Sequence, residues 1–190
     1  MAALFAPMAR LKAGTELCRR MTRLFVCLFL LLCLPAASRS ADNNPGLKFL
    51  ASGKPVGEIA LDVMKSKLKT YRIDLYDIEY KKEKRYEGFK VGDVLKLAYV
   101  DRLDDTDYND NAFTALDGYE SVSLLPKMNE EGGYIVFEDI GSPGWEPVGR
   151  TQSNPGPFYL VWTGKSQTPE NEYPWPWQIA SVNIMRFADQ

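Results

Sequence analysis

The five residues Tyr173-Pro174-Trp175-Pro176-Trp177 place three aromatic rings around two prolines. Proline fixes φ, so this segment predicts an extended, polyproline-like backbone whose side chains splay to different sides. Trp145 and Trp162 complete the four tryptophans of the chain. An aromatic rim of Trp145, Tyr173 and Trp175 would contact a partner surface, where tryptophan is a favoured anchor. Trp162 and Trp177 also suit a second use, plugging a core while the prolines end a loop. A third use is the stacking of sugar rings, with Asp117, Glu120 or Asn154 as polar contacts. Asp117-Gly118 is in addition a turn dipeptide by chemistry alone.

Missing residue types narrow the chemistry further. The chain has no histidine, and its three cysteines, Cys18, Cys27 and Cys33, all fall in the first 40 residues. Ser-His-Asp and Cys-His hydrolysis, His- or Cys-based zinc sites and histidine-ligated haem therefore lack their ligands or bases after residue 40. No catalytic residue and no metal ligand is expected there. Asp105, Asp107 and Asn109 have the spacing of the first three ligands of a calcium loop. Asp110 stands where such a loop needs glycine, and Leu116 where it needs a bidentate glutamate. Glu138 and Asp139 are adjacent in an expected strand, point to opposite faces and cannot flank one glycosidic bond.

These residues must be held by elements that the hydrophobic pattern reveals. Ala60, Val63, Met64 and Leu68 recur at helical spacing between Gly57 and Lys69. Tyr71, Ile73 and Leu75 alternate with Thr70, Arg72 and Asp74 as a half-buried strand. Lys81-Lys82-Glu83-Lys84 then reads as a solvated hairpin tip before Arg85–Phe89. Gly92–Tyr99 is a second short helix facing inward through Val94, Leu95 and Ala98. Further strands are expected at Phe113–Leu116, Tyr119–Leu124, Tyr134–Phe137, Phe158–Trp162 and Trp177–Phe187, the last apolar on both faces and therefore central. Strands outnumber helices, so the class is α+β: a mixed, mainly antiparallel β domain with a few short helices. The longest irregular stretch, Gly141 to Gly156, contains Trp145 and Arg150, and loops of that length are often functional.

Residues 1–40 have the layout of a secretory signal peptide: Arg19, Arg20 and Arg23, then the 11-residue apolar run Leu24–Leu34, then Pro35–Ser40. The run is too short to span a bilayer, so no stable membrane anchor is expected after cleavage near Ser38–Ala41. Residues 1–20 also fit an over-extended start, since Met21-Thr22-Arg23 opens a leader by itself. A periplasmic or secreted single domain, residues 41–190, follows, with Asp42–Gly46 as a flexible lead-in. Of 23 basic and 25 acidic side chains, six and one fall in the leader, which leaves the domain at −7. Such a surface repels nucleic acid and attracts a basic protein.

Tyr86-Glu87-Gly88-Phe89 with Val94-Leu95, then Asp117-Gly118-Tyr119, Pro155–Trp162 and Trp177–Val182, follow one another in an order that resembles the molybdopterin-binding domain of the sulfite oxidase superfamily. The resemblance covers about Leu61 to Phe187, and it is the order and spacing of the pieces that carry it. It implies that superfamily's fold in a small, exported, stand-alone relative, of the kind found beside c-type cytochromes in periplasmic redox systems. The family's enzymes hold molybdenum through a cysteine and grip an anionic cofactor with basic side chains. Here the ligand cysteine has no counterpart, Tyr159 stands where the family's "G-x-P-L-R" strand has arginine, and Arg150 and Lys165 are the cations near the relevant loops. The expectation is therefore a non-catalytic binding or accessory module without molybdopterin, engaging a c-type cytochrome through Trp145, Arg150, Tyr159, Trp162, Lys165, Tyr173, Trp175, Trp177, Asp117 and Tyr119. The alternatives are a molybdopterin-dependent oxidoreductase and an aromatic-platform glycan-binding module.

Overall fold

A computed structural model describes residues 44–100, 102–103 and 107–186. The leader, its cleavage region and Asp105 of the acidic loop lie outside the described residues. The described residues belong to one compact unit, Asn43–Gln190.

In chain order the elements are β1 (Gly46–Ala51), β2 (Lys54–Ala60), α1 (Leu61–Lys67), β3 (Tyr71–Asp77), β4 (Lys82–Lys90), α2 (Val91–Ala98), β5 (Tyr108–Ala115), β6 (Glu120–Leu124), β7 (Gly133–Asp139), β8 (Tyr159–Trp162) and β9 (Ile179–Arg186). They form a five-stranded sheet, β2-β1-β9-β5-β6, and a four-stranded sheet, β3-β4-β7-β8. All pairings are antiparallel except β1 with β9. With two short helices, this is the expected mainly antiparallel α+β arrangement. β9 lies at the centre of its sheet, as apolar residues on both faces require.

Alternation predicts β3 faithfully: Ile73 and Leu75 are buried, and Arg72 and Asp74 exposed. In α2, Val91, Val94 and Leu95 share a face at spacings of three and four and are all buried, each worth about 1.5–3 kcal/mol. The first helix is shorter than its pattern suggests. Lys54–Ala60 is strand, and of the expected apolar face only Met64 is fully buried while Val63 is exposed.

One expectation near the start of the domain is corrected. From Asn44 onward the lead-in is tied down: Asn44 Oδ1 accepts from the Asp62 N–H and the Pro45 carbonyl from the Leu61 N–H, both at 2.9 Å, which satisfies two N–H groups at the start of α1. Leu47 and Phe49 then alternate with Lys48 in a strand that turns back at Ser52-Gly53, both at positive φ (47° and 72°) as a two-residue hairpin turn requires.

One core cluster draws on both sheets, including Phe49, Tyr86, Phe89, Ile135, Leu160 and Val182. Tyr99, just past α2, links into it. Its ring meets Phe49 edge-on at 5.6 Å, and its hydroxyl lies 2.8 Å from the Leu50 carbonyl and 2.9 Å from that of Val182, joining α2 to β1 and β9.

Candidate functional site

The β5–β6 hairpin and the segment between β8 and β9 meet along a cavity of about 550 Å³, within the range of ligand sites. Hairpin geometry sets one wall. Gly118 has φ +85°, which an L side chain adopts only under strain, and Asp117 Oδ1 accepts from the Tyr119 N–H at 2.9 Å to close the turn. Leu116 N–H donates to the Gln178 carbonyl at 2.9 Å, fastening the hairpin to the opposite wall. That wall is Pro174-Trp175-Pro176-Trp177, a segment outside any helix or strand. Gln178 N–H donates to the Pro155 carbonyl at 2.8 Å, and Leu160 N–H to the Pro176 carbonyl at 3.0 Å.

Tyr119, Trp175 and Trp177 are the aromatic lining, with Pro169, Pro174 and Pro176 as further apolar surface. The charged lining consists of Glu79, Asp117 and Glu172, with no Lys or Arg. Glu172 is paired with Lys127 at 2.7 Å, which holds its carboxyl below the usual range. Glu79 is pushed up, first by burial and then by the charge of Asp77. A cavity so lined favours cationic or neutral ligands against anions.

The predicted site residues divide. Asp117, Tyr119, Trp175 and Trp177 come together in this cavity, and Tyr173 stands next to them, donating its hydroxyl to Glu130 Oε2 at 2.6 Å. An exposed rim of Trp145, Tyr173 and Trp175 does not form. Trp175 is only 7% exposed, with its indole N–H bound to the Gln167 carbonyl at 3.1 Å, so it contributes the inner floor. Trp162 is buried, its N–H 2.8 Å from the Pro174 carbonyl and its ring edge-on to Tyr173 at 4.9 Å. It is a core plug, whereas Trp177 is half-buried in the cavity wall. Arg150 and Lys165 are exposed in turns outside the cavity lining.

Trp145 belongs to a second cluster. Its backbone has φ +70°, a strain of about 1–3 kcal/mol for a bulky residue, compensated by packing. The indole tilts against Tyr86 at 6.0 Å and covers Gly156, where a Cβ would come within 2.3 Å of it. Tyr86 and Tyr159, both buried, donate their hydroxyls to Asp77 at 2.8 and 3.2 Å, and the N–H groups of Glu79 and Tyr80 donate to the same carboxylate at 2.9 and 3.1 Å. Burial raises the Asp77 carboxyl above its ordinary value despite those bonds, and burial beside Asp77 raises both phenols. Tyr159 is thus a buried structural donor and not a surface contact.

The lysine-rich segment is the clearest correction. Lys82, Glu83 and Lys84 are in β4, and the turn is only Ile78–Lys81. Lys84 is buried, donating to Asp139 Oδ2 and, at 3.0 Å, to Glu146 Oε2, with its ammonium 4.3 Å from the Tyr80 ring. Burial pulls its pKa down, but the two carboxylates outweigh this and hold it above 10.5. Asp77 and Lys84 were visible in principle: the two-residue period of β3 carried one step past Leu75 reaches Asp77, and that of β4 carried back from Tyr86 reaches Lys84. Glu138 points outward and Asp139 inward, as strand alternation requires.

A hollow of about 520 Å³ over this cluster does contain Lys82, Lys84 and Arg85. Each is engaged by a carboxylate, Lys82 by Glu146, Lys84 by Asp139 and Glu146, and Arg85 by Asp74. Among the described residues no group of three or more His, Cys, Asp or Glu side chains is arranged to hold a metal ion. The residues of the larger cavity do not fit an anionic pterin, since its phosphate would face carboxylates without a cationic clamp. No family model and no curated protein matches this chain.

Proposed function

We propose that this chain is an exported, non-catalytic binding module with a sulfite oxidase-type molybdopterin-domain fold, an accessory in a periplasmic redox system that engages a basic partner such as a c-type cytochrome. One observation carries the reading: a cavity floored by Trp175 and walled by Tyr119, Trp177 and three prolines, whose charged lining is carboxylate throughout. Aromatic and proline surface is what protein interfaces use for anchoring, and the acidic lining, on a domain of net charge −7, attracts a basic surface. The sulfite oxidase-type fold rests on the order and spacing of the resembling segments in the sequence, which lie in β4–α2, the β5–β6 turn, β8 and β9.

The oxidoreductase alternative gains nothing from a cavity that opposes the cofactor's charge. Glycan stacking on Trp177 and Tyr119 would use the same lining but does not account for the domain's net charge of −7.

Titration of the processed chain with the c-type cytochromes of its host tests the reading. A complex is expected that weakens as ionic strength rises from about 10 to about 150 mM, where the screening length shrinks from about 30 to about 8 Å. Absence of any complex at the lower salt would overturn it, as would stoichiometric molybdenum in protein purified from the host.

A further inference from the structure

Two sheets have four edges, and three carry features that discourage pairing. β2 carries exposed Lys54, Pro55 and Glu58 and a register shift opposite Phe49/Leu50. β3 presents exposed Arg72 and Asp74. β8 is only four residues long, and its Leu160 N–H is taken by the Pro176 carbonyl at 3.0 Å. Charges, prolines, irregular register and cover are the devices that keep edge strands from pairing with other chains.

β6 has none of these beyond Glu120 at its start and the bond from its buried Ser123 hydroxyl to the Glu172 carbonyl at 3.2 Å. Four of the seven exposed large apolar side chains of the described residues, Leu116, Tyr119, Val122 and Leu124, lie on this strand or its turn. The free groups can be assigned from the ladder. Ala115 N–H donates to the Tyr119 carbonyl at 2.8 Å, and Phe113↔Ser121 and Asn111↔Ser123 continue that register two residues at a time. Those are the hydrogen-bonded pairs, so Val122, opposite Ala112, turns its N–H and C=O away from β5. Among the described residues no backbone bond reaches Val122 from that side. The same strand lines the acidic cavity through Ser121 and Val122.

We infer that β6 is a strand-addition site: an extended segment of a partner protein pairs with Val122 and lays a lysine or arginine over Asp117 and Glu79. The inference rests on the cavity's being a protein-binding site, as proposed above, and adds the mode and the chemistry of the bound segment. Main-chain hydrogen bonds supply affinity in such docking, and alternate side chains supply specificity. Glu172 is neutralised by Lys127, whereas Asp117 and Glu79 have no ion pair among the described residues, so a basic side chain is the complementary occupant. A second copy of this chain brings another −7 domain and is disfavoured.

The probe is a synthetic ten-residue peptide of alternating valine and lysine, added to the full processed chain while amide exchange is followed by NMR. Protection of the Val122 N–H is expected, with binding lost for a glutamate-for-lysine peptide and for one N-methylated on its pairing face. Val122→Pro removes the outward donor without touching the β5 ladder, as edge strands allow, and Asp117→Asn removes charge while keeping the turn acceptor. Each is expected to weaken binding at least about tenfold, by loss of a bond or of a charge partner. Unprotected Val122 at saturating peptide, equal binding by the N-methylated peptide, or sedimentation showing β6 already covered in a dimer would overturn the inference. A salt-sensitive cytochrome complex that leaves Val122 exchanging freely sinks strand addition and leaves the binding-module reading standing.

Discussion

Lys84 of β4 ends against the carboxylate of Asp139 on β7, and the two side chains are 5% and 0% exposed, so this is an ion pair inside the protein and not on it. The pair is tolerable because each charge has further partners. Lys84 also reaches Glu146 and the Tyr80 ring, and Asp139 Oδ1 accepts the Gly141 N–H at 3.0 Å. Glu146 in turn is held below its usual range by Lys82 and Lys84.

Replacing one partner is therefore expected to cost far more than a surface pair would. Lys84→Met leaves Asp139 buried without its counter-charge, and urea unfolding should show a loss of about 3–5 kcal/mol. By contrast Arg85→Met, which breaks the exposed pair with Asp74, should change stability by less than about 1 kcal/mol. Equal losses for the two variants would contradict the assignment of Lys84 to the interior.

Asp77 predicts a pH slope. Its carboxyl is raised above 3.8 by burial, against the pull of the Tyr80 N–H, the Tyr86 hydroxyl, the Glu79 N–H and the Tyr159 hydroxyl. The unfolded chain ionises this group near 3.8, before the folded one does. Between that value and the raised one, the unfolded state binds fewer protons, so stability falls as pH rises. Asp77→Asn abolishes this share of the slope and relaxes part of the upward shift of Glu79, to which the Asp77 charge contributes after burial. Unfolding free energies of both chains, measured from about pH 3 to about pH 7, should give a difference that changes with pH in this sense. A constant difference would refute it.

Gly156→Ala inserts a Cβ within 2.3 Å of the Trp145 indole. The ring must leave its place against Tyr86, at a cost of about 1–3 kcal/mol. Its fluorescence should shift to the red, which Trp145→Phe in the same background would remove. An unchanged spectrum would show that the indole does not rest on Gly156.

The two cavity tryptophans should part company. Trp175→Ala removes a buried floor and should cost about 3–5 kcal/mol of stability, whereas Trp177→Ala, in the half-buried wall, should cost about 1–2 kcal/mol while weakening cytochrome binding at least as much as Trp175→Ala does. Titration beside thermal unfolding separates these outcomes. If Trp177→Ala binds like wild type, the cavity is not the contact surface.

Much of the fold was legible because β3 and α2 each bury one set of side chains at the spacing their backbone imposes, and because β9 is apolar on both faces. The β1–β2 hairpin escaped because its turn is two residues long and its second strand, with Pro55 and Gly57, carries no alternating apolar signal. The cavity was half legible: the aromatic segment and Asp117-Gly118-Tyr119 are conspicuous, but which tryptophan is buried depends on what packs against it. Lys84 was misread for the same reason. A lysine among charges reads as solvated unless Asp139 and Glu146, 55 and 62 residues away, are known to lie across it.

From the linear chain alone come most of the elements after Leu61, the central place of β9, the export leader as an expectation, and the absence of histidine and of cysteine beyond residue 33. These follow from local periodicity and composition, which need no neighbours. The tertiary structure decided that Trp175 floors a cavity, that its charged lining is acidic throughout, that Asp77 and Lys84 are interior charges, and that one sheet edge is left open at Val122. Burial, pairing and electrostatic sign at those positions are set by residues distant in sequence, and only the folded chain brings them together.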